Sequence, residues 1–171
     1  NQSLDESATG QDVNDLPFIG VLDIFGFESF ARNGFEQLLI NFTNESLQST
    51  FNRKVFEAEL NLYQQEGLVV DQSQLRVPPG NEAAMTLLAG ALKYPGSLNQ
   101  TREDKDAVLV DLDTQCRELQ PSDKKMLRAF HQKFNKHPNF PRPHPKNMHD
   151  TFIIKHYAGV VVYTVGNFIE K

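Results

Sequence analysis

The sequence FIGVLDIFGFESF, at residues 18–30, is the most informative part of this chain. Its first five residues, 18–22, are apolar or glycine, a pattern typical of a strand buried on both faces of a sheet. Asp23 then stands at the carboxyl end of that predicted strand, which is where α/β folds hold their ligands. The stretch therefore predicts a ligand site that begins where a buried strand ends.

Three residues of this stretch suit the recognition of a nucleotide phosphate. Asp23 can hold magnesium through water, because Mg²⁺ keeps much of its hydration shell when carboxylates bind it. Gly26 has no β-carbon, so its backbone can approach a phosphate closely and offer an N–H group. Glu28 can pair with a cation from elsewhere in the fold. An ordinary strand-to-loop turn has the same pattern, so the chemistry alone leaves both interpretations open.

Two separated parts of the chain resemble the myosin motor domain. The sequences DIFGFESF (23–30) and FEQLLINFTNESLQ (35–48) are similar to switch II and the relay helix of that family. Near the other end, IKHYAGVVVY (154–163) and FIEK (168–171) are similar to its His-Tyr-Ala-Gly strand and the segment after it. Between them the resemblance weakens. It implies an incomplete α/β fragment of the P-loop NTPase-like motor domain, mostly helical, with strands from a larger sheet.

The resemblance also implies a function. In a complete motor, Asp23 would sense magnesium, Gly26 the γ-phosphate of ATP, and Glu28 an arginine of switch I, so that catalysis rests on positioning and electrostatics. The family's Gly-x-x-x-x-Gly-Lys-Ser/Thr loop and its switch I do not occur in these residues. We therefore expect the chain alone to be inactive. Its expected partners are the actin filament and the remainder of the motor domain, including the P-loop, switch I and converter; a non-catalytic actin-binding fragment is the alternative.

A long helix is predicted from residue 33 to 67, after the switch II-like strand and loop at 16–30. Asn33 and Glu36 have the spacing of a capping pair, apolar residues then recur at helical intervals, and Gly67 is a suitable stop. Such a helix would be roughly 50 Å long. A core helix or a coiled-coil strand would have the same pattern, and the family resemblance favours a relay helix.

The segment after this helix departs from the family pattern. Val70 stands where myosins usually have a tryptophan, a residue that this chain lacks. Residues 71–80 replace the acidic and aromatic relay loop. We interpret Val70 as an ordinary loop hydrophobe and the chain as part of a divergent, unconventional myosin.

Three shorter helices are predicted between residues 81 and 135. The patterns favour helices over 81–92, over 106–119 and, capped by Ser122 or Asp123, up to residue 135. In myosins this region forms the lower part of the actin-binding cleft. The resemblance therefore implies a filament contact here.

Charge is unevenly distributed along the chain. The net charge is −5, yet residues 124–155 contain eight Lys or Arg residues and one acidic residue, Asp150. A basic surface steers an acidic partner such as an actin filament, but basic segments with aromatic residues also suit nucleic acid, and a solvated face without a partner is the third interpretation. The family resemblance favours actin and makes nucleic acid the least favoured.

Potential metal ligands do not form a recognised set. We interpret Asp111 and Asp113 as two solvated helix carboxylates, and neither the five histidines nor the single cysteine, Cys116, matches a zinc spacing. The expected cofactors are ATP and magnesium. Because the chain lacks an apolar leader and any apolar run long enough to span a bilayer, the sequence predicts a cytoplasmic, cytoskeletal setting.

The last part of the chain, residues 151–171, predicts a strand followed by a segment that resembles a helix cut short. β-Branched and aromatic residues favour one strand over 152–163, joined to a sheet made largely by other parts of the motor. His156 lies in this strand. We interpret it as a packed or hydrogen-bonded histidine rather than a catalytic base, because no Ser/His/Asp or Cys/His arrangement accompanies it.

Overall fold

The computed structural model describes residues 20–68, 80–90 and 106–169. In these ranges the elements, in chain order, are α1 (Phe35–Gln65), α2 (Glu82–Ala89), α3 (Val108–Cys116), α4 (Asp123–Lys133), β1 (Thr151–Lys155) and β2 (Val160–Thr164). The described part is thus mostly helical, with one two-stranded sheet. The predictions for Val70 and for residues 71–79 lie outside the described residues. No helix in the described ranges is long and apolar enough to cross a bilayer.

The strand predicted for residues 18–22 is not formed in its described part, residues 20–22. Residues 20–22 form no strand, and Val21 and Leu22 are 90% and 70% exposed. A strand buried on both faces needs hydrogen-bonding neighbours at its edges and layers packed above and below it. Among the described residues only β1 and β2 form a sheet, so the apolar pattern of residues 20–22 finds no partner there.

The long helix is present as α1, although its cap differs from the prediction. Asn33 does not cap the helix; its buried side chain instead bonds to the backbone of Phe30 and to the Val162 carbonyl oxygen. The cap is made by Gln37, whose Oε1 accepts the Gly34 N–H at 2.9 Å. Asn33 and Glu36 have the right spacing, but the helix starts two residues after Asn33, which shifts the capping pair by one position.

Gly67 ends α1 as predicted. Its φ of 71° is the left-handed conformation that glycine adopts without a steric penalty. The Gly67 N–H donates to the Gln64 carbonyl at 3.1 Å, and the Leu68 N–H donates to the Tyr63 carbonyl at 2.9 Å. These two bonds form a Schellman motif, which satisfies carbonyl groups that the helix would otherwise leave open.

The single strand predicted for residues 152–163 is a β-hairpin. Strands β1 and β2 pair antiparallel, with Phe152 opposite Tyr163 and Ile154 opposite Val161. The turn is closed by the His156 N–H, which donates to the Gly159 carbonyl at 2.8 Å. β-Branched and aromatic residues stand on both sides of this turn, so their pattern alone does not show where the chain reverses. Tyr163 also bridges in parallel to Asn33, which brings the hairpin beside the start of α1.

Aromatic side chains fill the core between the hairpin, α4 and the first half of α1. Phe152 lies at the centre, and its ring centroid is 5.5 Å from Phe130, 5.2 Å from Tyr163 and 5.9 Å from Phe168. All four side chains are at most 1% exposed. Beyond residue 50 most of α1 is half-buried or exposed, and Phe51 is 64% exposed.

The helices between residues 81 and 135 are present but shorter than predicted, and neither Ser122 nor Asp123 caps α4 through its side chain. Asp123 instead accepts the backbone N–H groups of Asn167, at 2.8 Å, and Ile169, at 3.2 Å. A carboxylate at the start of α4 therefore fastens the segment after β2 to that helix. The part of the prediction covering residues 91–105 lies outside the described ranges.

The interpretation of Asp111 and Asp113 as two solvated carboxylates is correct for Asp113 and wrong for Asp111. Asp113 is exposed and pairs with Arg117 at 3.0 Å. Asp111 is only 9% exposed, and its Oδ1 lies 2.6 Å from Lys133 Nζ. The hydrogen bond to Asp111 is the main cause that raises the pKa of Lys133. Asp111 thus links α3 to α4, and no cluster of three or more potential metal ligands occurs in the described parts of the chain.

Candidate functional site

The segment from Asp23 to Glu28 lies against the first half of α1, held there by amide side chains. The Asn41 side chain forms hydrogen bonds with both backbone groups of Glu28. Its Oδ1 accepts the Glu28 N–H and its Nδ2 donates to the Glu28 carbonyl, each at 2.8 Å. One turn later, Asn44 Nδ2 donates to the Phe25 carbonyl at 3.1 Å. These three hydrogen bonds fasten the backbone of the loop to the helix.

The Glu28 side chain is held as well. Gln37 Nε2 donates to Glu28 Oε2 at 3.2 Å, so the residue that caps α1 also orients this carboxylate. No hydrogen bond from the described residues reaches the other oxygen, Oε1. The half-buried carboxylate is oriented on one side and open to a cation on the other.

Asp23 and Gly26 are exposed, in contrast to Glu28. Asp23 lines an open cleft of about 470 Å³, together with Ile24, Phe25, Ile40 and Thr43. A β-carbon at Gly26 would meet no atom within 4 Å, so nothing in the described structure covers this backbone position. The loop thus carries Asp23 and Gly26 at exposed positions and Glu28 at a half-buried one, where its carboxylate is oriented by Gln37.

A buried chain of polar side chains runs from this loop to the hairpin. Asn41 Nδ2 also lies 2.9 Å from the Tyr163 hydroxyl, which lies 2.8 Å from His156 Nε2. His156 Nδ1 lies 3.1 Å from Glu45 Oε1, and Asn81 Nδ2 donates to Glu45 Oε2 and, at 2.7 Å, to the Glu45 carbonyl. Of these residues, Asn41, Glu45 and Tyr163 have no exposed surface, while His156 and Asn81 are 3% and 8% exposed.

This environment confirms the interpretation of His156 as a packed, hydrogen-bonded residue. Its side chain is fully buried, and the Phe27 ring packs edge-on against it with centroids 5.5 Å apart. A general base must reach the proton that it abstracts, and this imidazole has no access to a substrate. Burial also raises the pKa of Tyr163 well above its ordinary value, so the hydroxyl keeps its proton.

The sequence predictions missed the anchoring residues of α1. Gln37, Asn41 and Asn44 recur at intervals of three or four residues, so they lie along one face of the helix. A polar stripe in the buried half of a helix signals partners that hydrogen-bond to it, since buried amides are costly when unpaired. That signal is present in the sequence, whereas the identity of the partners depends on contacts between distant segments.

A comparison with known families identifies the chain. The family profile described as "Myosin head (motor domain)" matches residues 1–171. The chain belongs to the myosin motor family. It is 38% identical over 154 residues to the myosin-I heavy chain of Dictyostelium discoideum. The aligned region covers 90% of this chain and 6% of that protein.

Two further relatives agree with this result. Human unconventional myosin-VI is 38% identical over 162 residues, covering 90% of this chain and 11% of the relative. Myosin-H heavy chain of Dictyostelium discoideum is 34% identical over 171 residues, covering 100% of this chain and 9% of the relative. This myosin chain thus spans roughly a tenth of the length of the relatives it matches, and its family agrees with the resemblance found in its two end segments.

Proposed function

We propose that this chain is the part of an actin-based, ATP-driven myosin motor that couples the nucleotide site to a long helix. The observation that carries the proposal is the attachment of residues 25–28 to α1 by Asn41, Asn44 and Gln37. A loop fastened this way cannot shift without moving the helix or breaking these bonds. Movement at a bound phosphate would therefore reach α1 directly.

The three loop residues have the donor and acceptor groups that magnesium–ATP requires. Asp23 offers an exposed carboxylate that can hold the ion through water, and the open backbone of Gly26 allows its N–H to face the γ-phosphate. Glu28 Oε1 is available to pair with an arginine of switch I. The metal, when bound, neutralises charge on the phosphates, while these residues supply orientation and fixed dipoles.

The length of α1 makes it suited to transmit such a movement. Its 31 residues span roughly 46 Å. The first half is packed in the core and the second half is mostly exposed, so a small rotation at the packed end produces a larger displacement at the other end. Transmission requires two stable packing arrangements of the first half, as in other switching proteins.

The actin contact is proposed for residues 81–135, with the basic residues of 124–155 as its electrostatic component. All eight Lys and Arg residues in that range are exposed. Lys133 is paired with Asp111 and Asp106. Exposed basic groups favour association with an acidic filament and would make the association rate fall with increasing salt.

The ATPase of the full-length protein that contains these residues tests this function. We expect Asp23→Asn and Glu28→Gln each to lower the basal magnesium-dependent kcat by roughly 10²-fold or more, because each removes a charge that orients the reacting groups. Glu82→Gln makes the same chemical change on the exposed surface of α2 and should leave the basal kcat unchanged. The 171-residue chain alone should not hydrolyse ATP.

Equal basal rates in the wild type, Glu28→Gln and Glu82→Gln would overturn the assignment of the site. Absence of any magnesium-dependent ATPase in the wild-type full-length protein would overturn the motor function itself and favour a non-catalytic actin-binding protein.

A further inference from the structure

The buried polar chain between α1 and the hairpin has a direction that the structure determines. The Glu28 carbonyl can only accept a hydrogen bond and its N–H can only donate one, so the Asn41 amide has a single orientation, with Nδ2 toward the carbonyl. The second hydrogen of Nδ2 then points to the Tyr163 hydroxyl oxygen, 2.9 Å away.

The direction continues through the hydroxyl and the imidazole. Because the Tyr163 oxygen accepts from Asn41, its own hydrogen is donated to His156 Nε2 at 2.8 Å. Nε2 therefore carries no proton, and Nδ1 carries the proton and donates it to Glu45 Oε1 at 3.1 Å. The opposite orientation would aim two donors at the Tyr163 oxygen and leave its hydrogen without an acceptor in this buried cluster.

Glu45 is a suitable end point for the chain because every group around it donates. Its Oε1 also accepts the Tyr157 N–H at 2.8 Å, and its Oε2 accepts Asn81 Nδ2. A fully buried carboxylate needs several donors to offset its lost hydration. The donors come from two segments that lie beside α1. Asn81, the residue before α2, supplies one, and His156 and Tyr157 of the hairpin turn supply the others.

We propose that Tyr163 and His156 are positioning residues for Glu28, acting through Asn41, and that His156 does so as the neutral tautomer protonated on Nδ1. In the described structure neither side chain hydrogen-bonds to Asp23, Gly26 or the Glu28 carboxylate. Their effect is to fix the Asn41 amide, whose two bonds fix the Glu28 backbone. The inference extends the proposed function by adding the hairpin as a support of the same loop.

Tyr163→Phe isolates the effect because it removes only the hydroxyl and keeps the ring in the aromatic core. In the full-length protein we expect the Glu28 amide to exchange with solvent deuterium roughly five- to tenfold faster, as for the loss of one buried hydrogen bond. Tyr157→Phe is the matched control: it makes the same change on the same hairpin, at a residue that is 46% exposed and belongs to the network only through its backbone N–H, which the substitution leaves in place. Its Glu28 exchange should equal that of the wild type.

Two substitutions of His156 give a readout that a purely structural role would not produce. In His156→Gln the amide oxygen can reach the Nε2 position and accept the Tyr163 hydrogen, whereas the shorter side chain in His156→Asn cannot. We therefore expect slower Glu28 exchange in the glutamine variant than in the asparagine variant. This pair also carries the test if Tyr163→Phe does not fold.

Equal Glu28 exchange in Tyr163→Phe and Tyr157→Phe, or in the two His156 variants, would overturn the inference. The same preparations then report on the motor cycle: Tyr163→Phe should lower the ATPase kcat with the KM for ATP unchanged. If the wild type shows no ATPase, the proposed function fails, but the exchange rates still decide whether Tyr163 and His156 position Glu28.

Discussion

Replacing Phe152 by alanine tests whether the aromatic cluster holds the hairpin to α4 and α1. Phe152 is 0% exposed, and its ring lies edge-on to Phe130 and stacked on Tyr163. Truncating a buried phenylalanine costs about 3–5 kcal/mol, from the lost transfer free energy and the cavity that remains. Because the ring contacts aromatic side chains on both sides, which cannot collapse into the space, we expect a value near the upper end.

The free energy of unfolding is measured by urea denaturation of the 171-residue chain, followed by circular dichroism. Phe51→Ala is the control, since Phe51 is 64% exposed on α1 and alanine has the higher helix propensity. Its effect should stay within about 0.5 kcal/mol of zero. A cost below about 1 kcal/mol for Phe152→Ala, or equal costs for both variants, would refute the packing described for the hairpin.

Three further predictions concern the ion pair, one histidine and the end of α1. Lys133→Met should lower the free energy of unfolding by about 1–2 kcal/mol, because it leaves the buried Asp111 carboxylate without its partner. Arg117→Met, at an exposed pair, should lower it by less than about 0.5 kcal/mol. Urea denaturation measures both values. Burial lowers the pKa of His137, so the folded state binds this proton less readily, and stability should fall with acidification below about pH 6.5. His137→Gln should flatten that part of the pH profile, and an unchanged profile would contradict the assignment. Gly67→Ala should lower the thermal midpoint at a cost of about 1 kcal/mol, because its φ of 71° is unfavourable for alanine; an unchanged midpoint would argue against the Schellman end.

The elements that sequence reasoning predicted well are those set by local periodicity. Helix α1 follows from apolar residues at helical intervals and from Gly67 as its stop, and both are determined within a few turns of chain. The predicted cap is one residue away from the observed one, because the Asn33 side chain bonds to Phe30 and to Val162 of the hairpin instead of to the helix. Local patterns rank capping candidates, but tertiary contacts decide among them.

The features that sequence reasoning missed depend on distant contacts. A segment rich in β-branched and aromatic residues, as at 152–163, is compatible with one long strand or with two paired strands, and the turn at residues 156–159 decides between them. In the sequence, Asn41 and Glu45 resemble ordinary residues on a helix surface. Only the structure shows that they bond to Glu28, Tyr163 and His156. The loop with Asp23, Gly26 and Glu28 could be named from its motif, whereas its attachment to α1 could not.

Co-sedimentation of the full-length protein with actin filaments, with and without magnesium–ATP, tests whether nucleotide controls filament binding. We expect the protein to pellet with filaments in the absence of nucleotide and to be released when magnesium–ATP is added. Pelleting that magnesium–ATP does not change would contradict the coupling of the Glu28 loop to filament binding, and failure to pellet under both conditions would contradict the actin partner.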